Sequence, residues 1–326
     1  MTEPALRVEN LRTHVFTRRG VIKAVEDVSF SVAPGKILGL VGESGSGKSM
    51  TAYSIMGLVD TPARIVAGRI LLGGRDLRAL VPEEMRQVRG NRVAMIFQDP
   101  MMTLNPVLRV DTQMVEAIRA HADVSYAAAL ERSRDALTRV GIASPAERLS
   151  AYPHQFSGGM RQRVAVAIAL LNQPDLIIAD EPTTALDVTI QGQILFEMQK
   201  LARESRTALI WITHDLSVIA GLADEICVMY AGRIVEQGSV DQVLYAPLHP
   251  YTYGLIASAP SRNRRGEPLR QIPGMTPSLL DLARGCAFRE RCSCADNACA
   301  QDPSMSSPVA GRQVRCFHPL TQSAIA

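Results

Sequence analysis

The stretch "GLVGESGSGKSM", residues 39–50, limits what this chain can fold into more than any other. An apolar run, Ile37 to Val41, leads into it and a helical pattern follows. Gly42, Gly47, Lys48 and Ser49 fit the template of a phosphate-wrapping loop between a strand and a helix. Glycines allow the backbone of Gly42, Glu43, Ser44, Gly45, Ser46, Gly47, Lys48, Ser49 and Met50 to curl around phosphate oxygens. The helix start adds the positive end of its dipole. Lys48 is placed to reach β- and γ-phosphates, and the Ser49 hydroxyl to ligate Mg2+. A chance Gly/Ser turn would lack the strand before and the helix after.

Further apolar runs of strand length recur at Val93 to Phe97, Leu176 to Ala179, Ala208 to Thr213 and Ile226 to Tyr230. Their near-continuous Val, Ile and Leu content predicts strands covered on both faces of a sheet. In "SYAAALERSRDALTRVGI", Tyr126, Leu130, Ser133, Leu137 and Val140 recur at helical spacing, and Gly141 is placed to stop the helix. Alternating strands and helices predict an α/β fold with a mainly parallel sheet. Residues from about 100 to 160 lack convincing strands and read as a helical insertion.

With 326 residues, of which 47% are hydrophobic, the chain has the material for a large core and a length prior of about two domains. A net charge of +3 and 5% aromatics give no support to a nucleic-acid binder. The longest apolar run, Val164 to Leu171, falls far short of the roughly 20 residues that cross a bilayer. "MTEPALRVEN" does not read as a secretory signal, so a cytoplasmic setting with reduced thiols is expected.

A second phosphate-handling element is "PDLIIADEP", an apolar strand ending in Asp180 and Glu181. Asp180 at the strand end is placed to hold Mg2+ through water, and Glu181 to polarise an attacking water as general base. Four other short motifs accompany these two: Gln98 closing "VAMIF", Ser157-Gly158-Gly159 opening the apolar helix of "QFSGGMRQRVAVAIALL", Asp187 in "TTALDVTI", and His214 in "WITHDL".

In this order the motifs resemble the ATP-binding cassette (ABC) family of transporter ATPases, over residues 1 to about 245. The resemblance implies a nucleotide-binding domain over 1–245, with a helical subdomain at about 100–160 and an antiparallel edge on the sheet. It implies ATP and Mg2+ as cofactors, with Ser49, Gln98 and Asp180 on the metal and Gln98 sensing the γ-phosphate. Ser157, Gly158 and Gly159 match the signature that completes a partner subunit's ATP site, and Asp187 matches the loop that communicates between sites. His214 matches the switch histidine, catalytic together with Glu181 and Lys48. Phe16 stands where the family usually stacks Tyr on adenine. The usual signature begins Leu-Ser-Gly-Gly-Gln; here Phe156 and Met160 flank its core and leave the backbone grip available.

"FQDPMMTLNP", "FSGGMRQR", "HPYTYGLIASAP" and the late "GCAFRERC" to "VRC" resemble, more narrowly, the ATPase subunits of dipeptide and oligopeptide importers. That branch implies a peripheral location on the cytoplasmic face of the membrane, two permease partners, a solute-binding protein and a second, similar ATPase. Nickel or another small solute stays open as cargo, because other subunits choose it. An ABC ATPase acting on nucleic acid is disfavoured by the single phosphate loop and the lack of a heptad insertion. Met101, Met102, Leu104 and Val107 in "DPMMTLNPVLRV" are apolar for a loop and are expected to dock a permease helix, or else to pack internally.

After about Gly238 Pro and Arg become frequent, and residues 246–326 are expected to form an appended module. It holds five of the six cysteines, Cys286, Cys292, Cys294, Cys299 and Cys316. Structural zinc favours Cys pairs two to four residues apart, which this spacing mostly lacks. The importer branch carries a [4Fe–4S] cluster on positions matching Cys286, Cys292, Cys299 and Cys316, leaving Cys294 as a spare thiol or substitute ligand. A cluster there would staple a module poor in apolar residues, and is expected to lie far from the ATP chemistry.

Overall fold

A computed structural model of the chain describes residues 3–99, 103–183, 188–263, 266, 268–280 and 282–321. In chain order its elements begin with β1 (Leu6–Thr17), β2 (Gly20–Val32), β3 (Ile37–Val41), α1 (Lys48–Met56), β4 (Ala63–Leu72) and β5 (Arg75–Asp76). There follow α2 (Pro82–Val88), β6 (Val93–Ile96), α3 (Val110–Arg119), α4 (Tyr126–Arg139), α5 (Pro145–Leu149) and α6 (Gly158–Leu170). Next come β7 (Leu176–Asp180), α7 (Val188–Ser205), β8 (Ala208–Thr213), α8 (Leu216–Leu222), β9 (Glu225–Tyr230) and β10 (Arg233–Ser239). The last are α9 (Val240–Tyr245), α10 (Pro250–Ala257), β11 (Ser306–Val309) and β12 (Arg312–Val314).

The chain divides into two compact units, one of residues Met1–Leu6, Val32–Ile37 and Ala79–Trp211, the other of Arg7–Ser31, Leu38–Arg78 and Ile212–Ala326. Strands β3 and β8 are each divided between them. The first unit carries most of β8 and all of β7 and β6, in the run β8-β7-β6. Its β6 and β7 are parallel, Val93 facing Leu176 and Ile96 facing Ala179. Every residue of β6, β7 and β8 is buried, as continuous apolar runs covered on both faces should be. Among the described residues from 103 to 160 there is no strand; α3, α4, α5 and the start of α6 fill the segment. Gly141, at φ +72°, follows the end of α4.

The face that α4 buries is the expected one except at its start: Ser133, Leu137 and, just beyond the helix, Val140 are buried, and Leu130 is half-buried. Ala129, Ser133 and Leu137 are its buried residues, whereas Tyr126 is 52% exposed. Ala129 takes the inward place in the first turns, and the bulky Tyr126 is left in solvent.

The second unit carries a four-stranded sheet in the order β2-β1-β4-β5 and the strand run β11-β12-β10-β9-β3. Here β3 and β9 are parallel, while β9–β10, β10–β12 and β11–β12 are antiparallel. Burial in β1 alternates over Leu6 and Val8 and again over Leu11 and Thr13. β11 and β12 are too polar to be held by burial alone, and buried arginines fasten their segment. Arg312 donates to Glu236 at 2.5 Å, and Glu236, wholly buried, also accepts from the backbone N–H groups of Leu248 (2.8 Å) and His249 (2.9 Å). Arg315 donates to Asp27 Oδ2 at 3.0 Å.

His249 opens α10 as its N-cap. Its Nδ1 accepts the Tyr251 N–H at 3.0 Å, which fixes the neutral ring with its proton on Nε2. Burial pushes its pKa from 6.5 down to about 3. The unfolded chain binds this proton below about pH 6.5 while the folded chain refuses it, so stability rises with pH across that window. The contribution is fully present above pH 6.5 and is lost as pH falls toward 3. Melting temperatures recorded across this range should fall with acidification. His249→Asn, which keeps a capping acceptor without the titration, should flatten that part of the profile; an unchanged slope would refute the assignment.

Candidate functional site

In the second unit β3 delivers the chain into the phosphate loop. Two of its glycines are sterically required. Gly42, at φ +155°, would place a Cβ 2.2 Å from the Met229 carbonyl oxygen. Gly47, at φ +104°, would place one 2.4 Å from the Ala24 carbonyl oxygen. Real side chains cannot occupy such positions, so the backbone itself lines the turn. Ser46 is buried and its N–H donates to Glu43 O at 3.2 Å. The Lys48 ammonium folds back over the loop, donating to the carbonyls of Gly42 (2.8 Å) and Glu43 (3.0 Å) and to Ser46 Oγ (3.4 Å). Helix α1 opens at Gly47 with no side-chain cap, so its dipole end is presented by backbone alone. Ser49 and Met50 are half-buried, and Ser44 and Gly45 exposed. Phe16 is half-buried, with the Arg64 guanidinium 4.0 Å from its ring centre, so one aromatic face already carries a cation.

In the first unit Asp180 closes β7 and is 4% exposed. Glu181 follows with φ +45°, a left-handed conformation uncommon outside glycine. Gln98, just after β6, donates from Nε2 to Glu181 Oε2 at 3.3 Å, bringing two of the expected site residues together. Ser157 is the N-cap of α6, its Oγ accepting the Met160 N–H at 3.2 Å, and Gly158 and Gly159 form the first turn. A Cβ at Gly158 would meet nothing within 4 Å, so this helix start is open on that side. In the second unit His214 is exposed beyond β8, and Asp215 caps α8 by accepting the Ser217 N–H at 2.8 Å.

Asp187, Met101 and Met102 lie outside the described residues. Of the remaining apolar residues in their segment, Leu104 is 1% exposed and Val107 75%. Leu104 is therefore a core residue and not part of a docking surface, whereas Val107 is exposed.

Of the cysteines, Cys227 is buried in β9, donating to Gln237 Oε1 at 3.3 Å, and burial pushes its thiol far up the pKa scale. Cys286, Cys292 and Cys316 are half-buried, Cys299 is buried and Cys294 is exposed. The Cys286 N–H donates to Cys299 O at 2.9 Å. Backbone N–H groups also point at sulfur: Phe288 and Arg289 at Cys286, Cys294 at Cys292, and His318 at Cys316 (3.3 Å). Burial pushes the Cys292 thiol up to about 11 and that of Cys316 to about 12. Neighbouring sulfurs add to the rise, those of Cys294, Cys286 and Cys299 at Cys292 and those of Cys286, Cys292 and Cys299 at Cys316.

Two features here were missed by sequence reasoning. Asp296, Cys299 and His318 each bring a ligand atom within 4.8 Å of the others, and His318 Nε2 lies 2.9 Å from Asp296 Oδ1. The second is a correction. The cysteine segment was expected to lie far from the nucleotide chemistry, yet Arg291, directly before Cys292, is bonded to the phosphate loop. Its Nη1 donates to Glu43 Oε2 at 2.7 Å and its Nη2 to Glu43 Oε1 at 3.0 Å. Those hydrogen bonds hold the Glu43 carboxyl below the usual carboxylate range. The two residues stand 248 apart in sequence, a separation at which no local pattern signals a contact.

The chain is also similar to known proteins. Residues 25–184 match the ABC transporter family and residues 235–299 the oligopeptide/dipeptide transporter C-terminal region. The oligopeptide transport ATP-binding protein OppD of Escherichia coli (strain K12) is 46% identical over 317 residues, covering 97% of this chain and 94% of OppD. The dipeptide transport ATP-binding protein DppD of the same organism is 44% identical over 316 residues, covering 97% of each. Among solved structures, the ATP-binding cassette MJ0796, a dimer in a post-hydrolysis state bound to ADP and Pi, superposes with a TM-score of 0.65 at 25% identity. It covers 72% of this chain and 98% of its own. The phosphate loop, the acidic end of β7 and near full-length likeness to two peptide-transport ATPases lead to one assignment. This chain belongs to the ABC family as the ATP-hydrolysing, ATP-binding subunit of an oligopeptide/dipeptide importer.

Proposed function

We propose that ATP is held by the loop of residues 42–50, with Lys48 on the β- and γ-phosphates and Phe16 against adenine. The observation that carries this is the Lys48 ammonium already wrapped by three oxygens of its own loop, a place a phosphate oxygen can take over. Ser49, Gln98 and Asp180 would hold Mg2+, a hard cation suited to a hydroxyl, an amide oxygen and a carboxylate. Glu181, paired with the Gln98 amide, polarises the attacking water; His214 contacts the γ-phosphate. Ser157, Gly158 and Gly159 offer the α6 start to the nucleotide of a second ATPase, and Asp187 links the two sites.

The energy is delivered to two permeases that move peptides supplied by a solute-binding protein, the chain sitting peripherally on the cytoplasmic membrane face. Among the described residues no helix is long and apolar enough to cross a membrane. Residues 1–245 form the ATPase and 246–326 the importer-type extension. Co-expression with two permeases and a second ATPase in liposomes should give ATP hydrolysis stimulated by peptide-loaded binding protein. Hydrolysis that ignores peptide but follows nickel or another solute would change the cargo.

Cys286, Cys292, Cys299 and Cys316 would hold a [4Fe–4S] cluster, with Cys294 outside it. The donor set fits. Four thiols in one loop-rich segment suit its chemistry, and backbone N–H groups aimed at three of the sulfurs oppose the burial that raises their pKa; Cys294 too lies within electrostatic reach of Cys292. Such a cluster supplies a covalent staple for a loop-rich segment. A second reading rests on the Asp296, Cys299 and His318 triad, which suits a single divalent ion such as zinc. Anaerobic purification separates them. The cluster predicts brown protein with about four irons per chain, colour kept in Cys294→Ser and bleached in Cys299→Ser. Stoichiometric zinc without iron, lost in His318→Ala, would select the triad.

A further inference from the structure

Glu43 is an unusual residue to find in a loop built to receive a triphosphate. Its backbone belongs to the phosphate cradle, yet its side chain is a carboxylate, and Lys48, the cation meant for the nucleotide, also pulls on its charge. A carboxylate free to turn would compete with phosphate for that ammonium and repel the incoming ligand.

The neighbouring residues prevent this turn. Arg291 grips both carboxylate oxygens in a two-bond fork, and Thr276 Oγ1 donates to Oε2 at 3.0 Å. Tyr251 OH accepts the Glu43 N–H at 2.9 Å, pinning the backbone as well. Arg291 is itself immobilised. It is 8% exposed, its Nε donates to Pro273 O at 2.8 Å, and its Nη1 to Tyr230 OH at 3.3 Å. Its guanidinium lies 5.8 Å from the ring centres of both Tyr230 and Phe288. A planar, permanently charged fork with four of its five N–H donors committed is a preorganised holder and not a mobile surface cation.

We propose that Arg291 is a positioning residue for nucleotide binding: by clasping the Glu43 carboxylate it keeps that charge off Lys48 and leaves the lysine for phosphate. The proposal rests on the assignment of Lys48 to the nucleotide's phosphates. It gives the extension a task in the ATP cycle, because the residue that guards the loop directly precedes Cys292.

The test is a titration of the full chain with a fluorescent ATP analogue and Mg2+, on single and double variants. Arg291→Met should weaken binding about tenfold, the scale of one misplaced charge near a solvated site. Adding Glu43→Gln to Arg291→Met should restore affinity to within about threefold of Glu43→Gln alone, because the charge that needed guarding is gone. A merely structural arginine would not be rescued by neutralising Glu43. Should Arg291→Met fail to fold, Arg291→Lys with and without Glu43→Gln gives the same comparison, since a lysine cannot grip both oxygens in the fork. Lys48→Ala serves as the reference. If it weakens binding while Arg291→Met does not, or if the double variant binds as poorly as Arg291→Met, the clasp is overturned alone. If Lys48→Ala binds as wild type, the lysine assignment falls, and the proposal with it.

Discussion

Glu181→Gln should bind nucleotide normally and turn it over at least about a hundredfold more slowly, the scale of a positioned general base. The substitution is nearly isosteric and replaces an acceptor of the Gln98 amide with another acceptor, so the 3.3 Å contact can persist. What disappears is the basicity directed at water. Glu181 sits at φ +45°, a conformation imposed by its surroundings, and Gln tolerates it about as well as Glu. Lys48→Ala should behave oppositely, weakening binding itself. Single-turnover measurement on the assembled transporter, with the second ATPase site disabled, separates binding from chemistry. Undiminished turnover in Glu181→Gln would remove it from the catalytic role.

Glu236→Leu should produce the largest loss of stability outside the nucleotide loop. Glu236 is wholly buried and satisfies Arg312 together with the N–H groups of Leu248 and His249. Removing it strands a buried guanidinium and two backbone donors, a cost of about 3–5 kcal/mol for breaking a buried pair from one side. For a unit of this size that corresponds to a fall of roughly 10 °C in melting temperature. Adding Arg312→Leu should recover much of the loss, because two apolar groups can replace a buried ion pair. If the double variant melts no higher than Glu236→Leu alone, the pair is not the origin of the defect.

The strands legible in the sequence were those buried on both faces, β3, β6, β7, β8 and β9, whose apolar runs announce themselves. β1, β2 and β4 escaped because each shows one face to solvent, and charges such as Glu9 and Lys23 interrupt any run; the alternation in β1 was the signal available. β11 and β12 gave no signal, since pairing to β10 and buried arginines hold them where apolar content does not. The phosphate loop was legible as a strand, a glycine turn and a helix because Gly42 and Gly47 meet a steric demand. Glu43 was read for its backbone alone. Its side-chain role depends on Arg291, and only the folded chain brings them together.

The hairpin of β11 and β12 has a consequence for how such a protein can be handled and trimmed. A strand at the end of a sheet offers unpaired N–H and C=O groups to any other extended chain. β12 takes up the open side of β10, with Gln237 opposite Gln313 and Glu236 opposite Val314. β11 then ends the run with "SSPV", four exposed residues of which Pro308 has no N–H to donate. The tail thus acts as a selvage, a woven border that keeps the fabric from being extended. A version shortened to its ATPase core would lose that border and leave β10 open to strand exchange with its own copies.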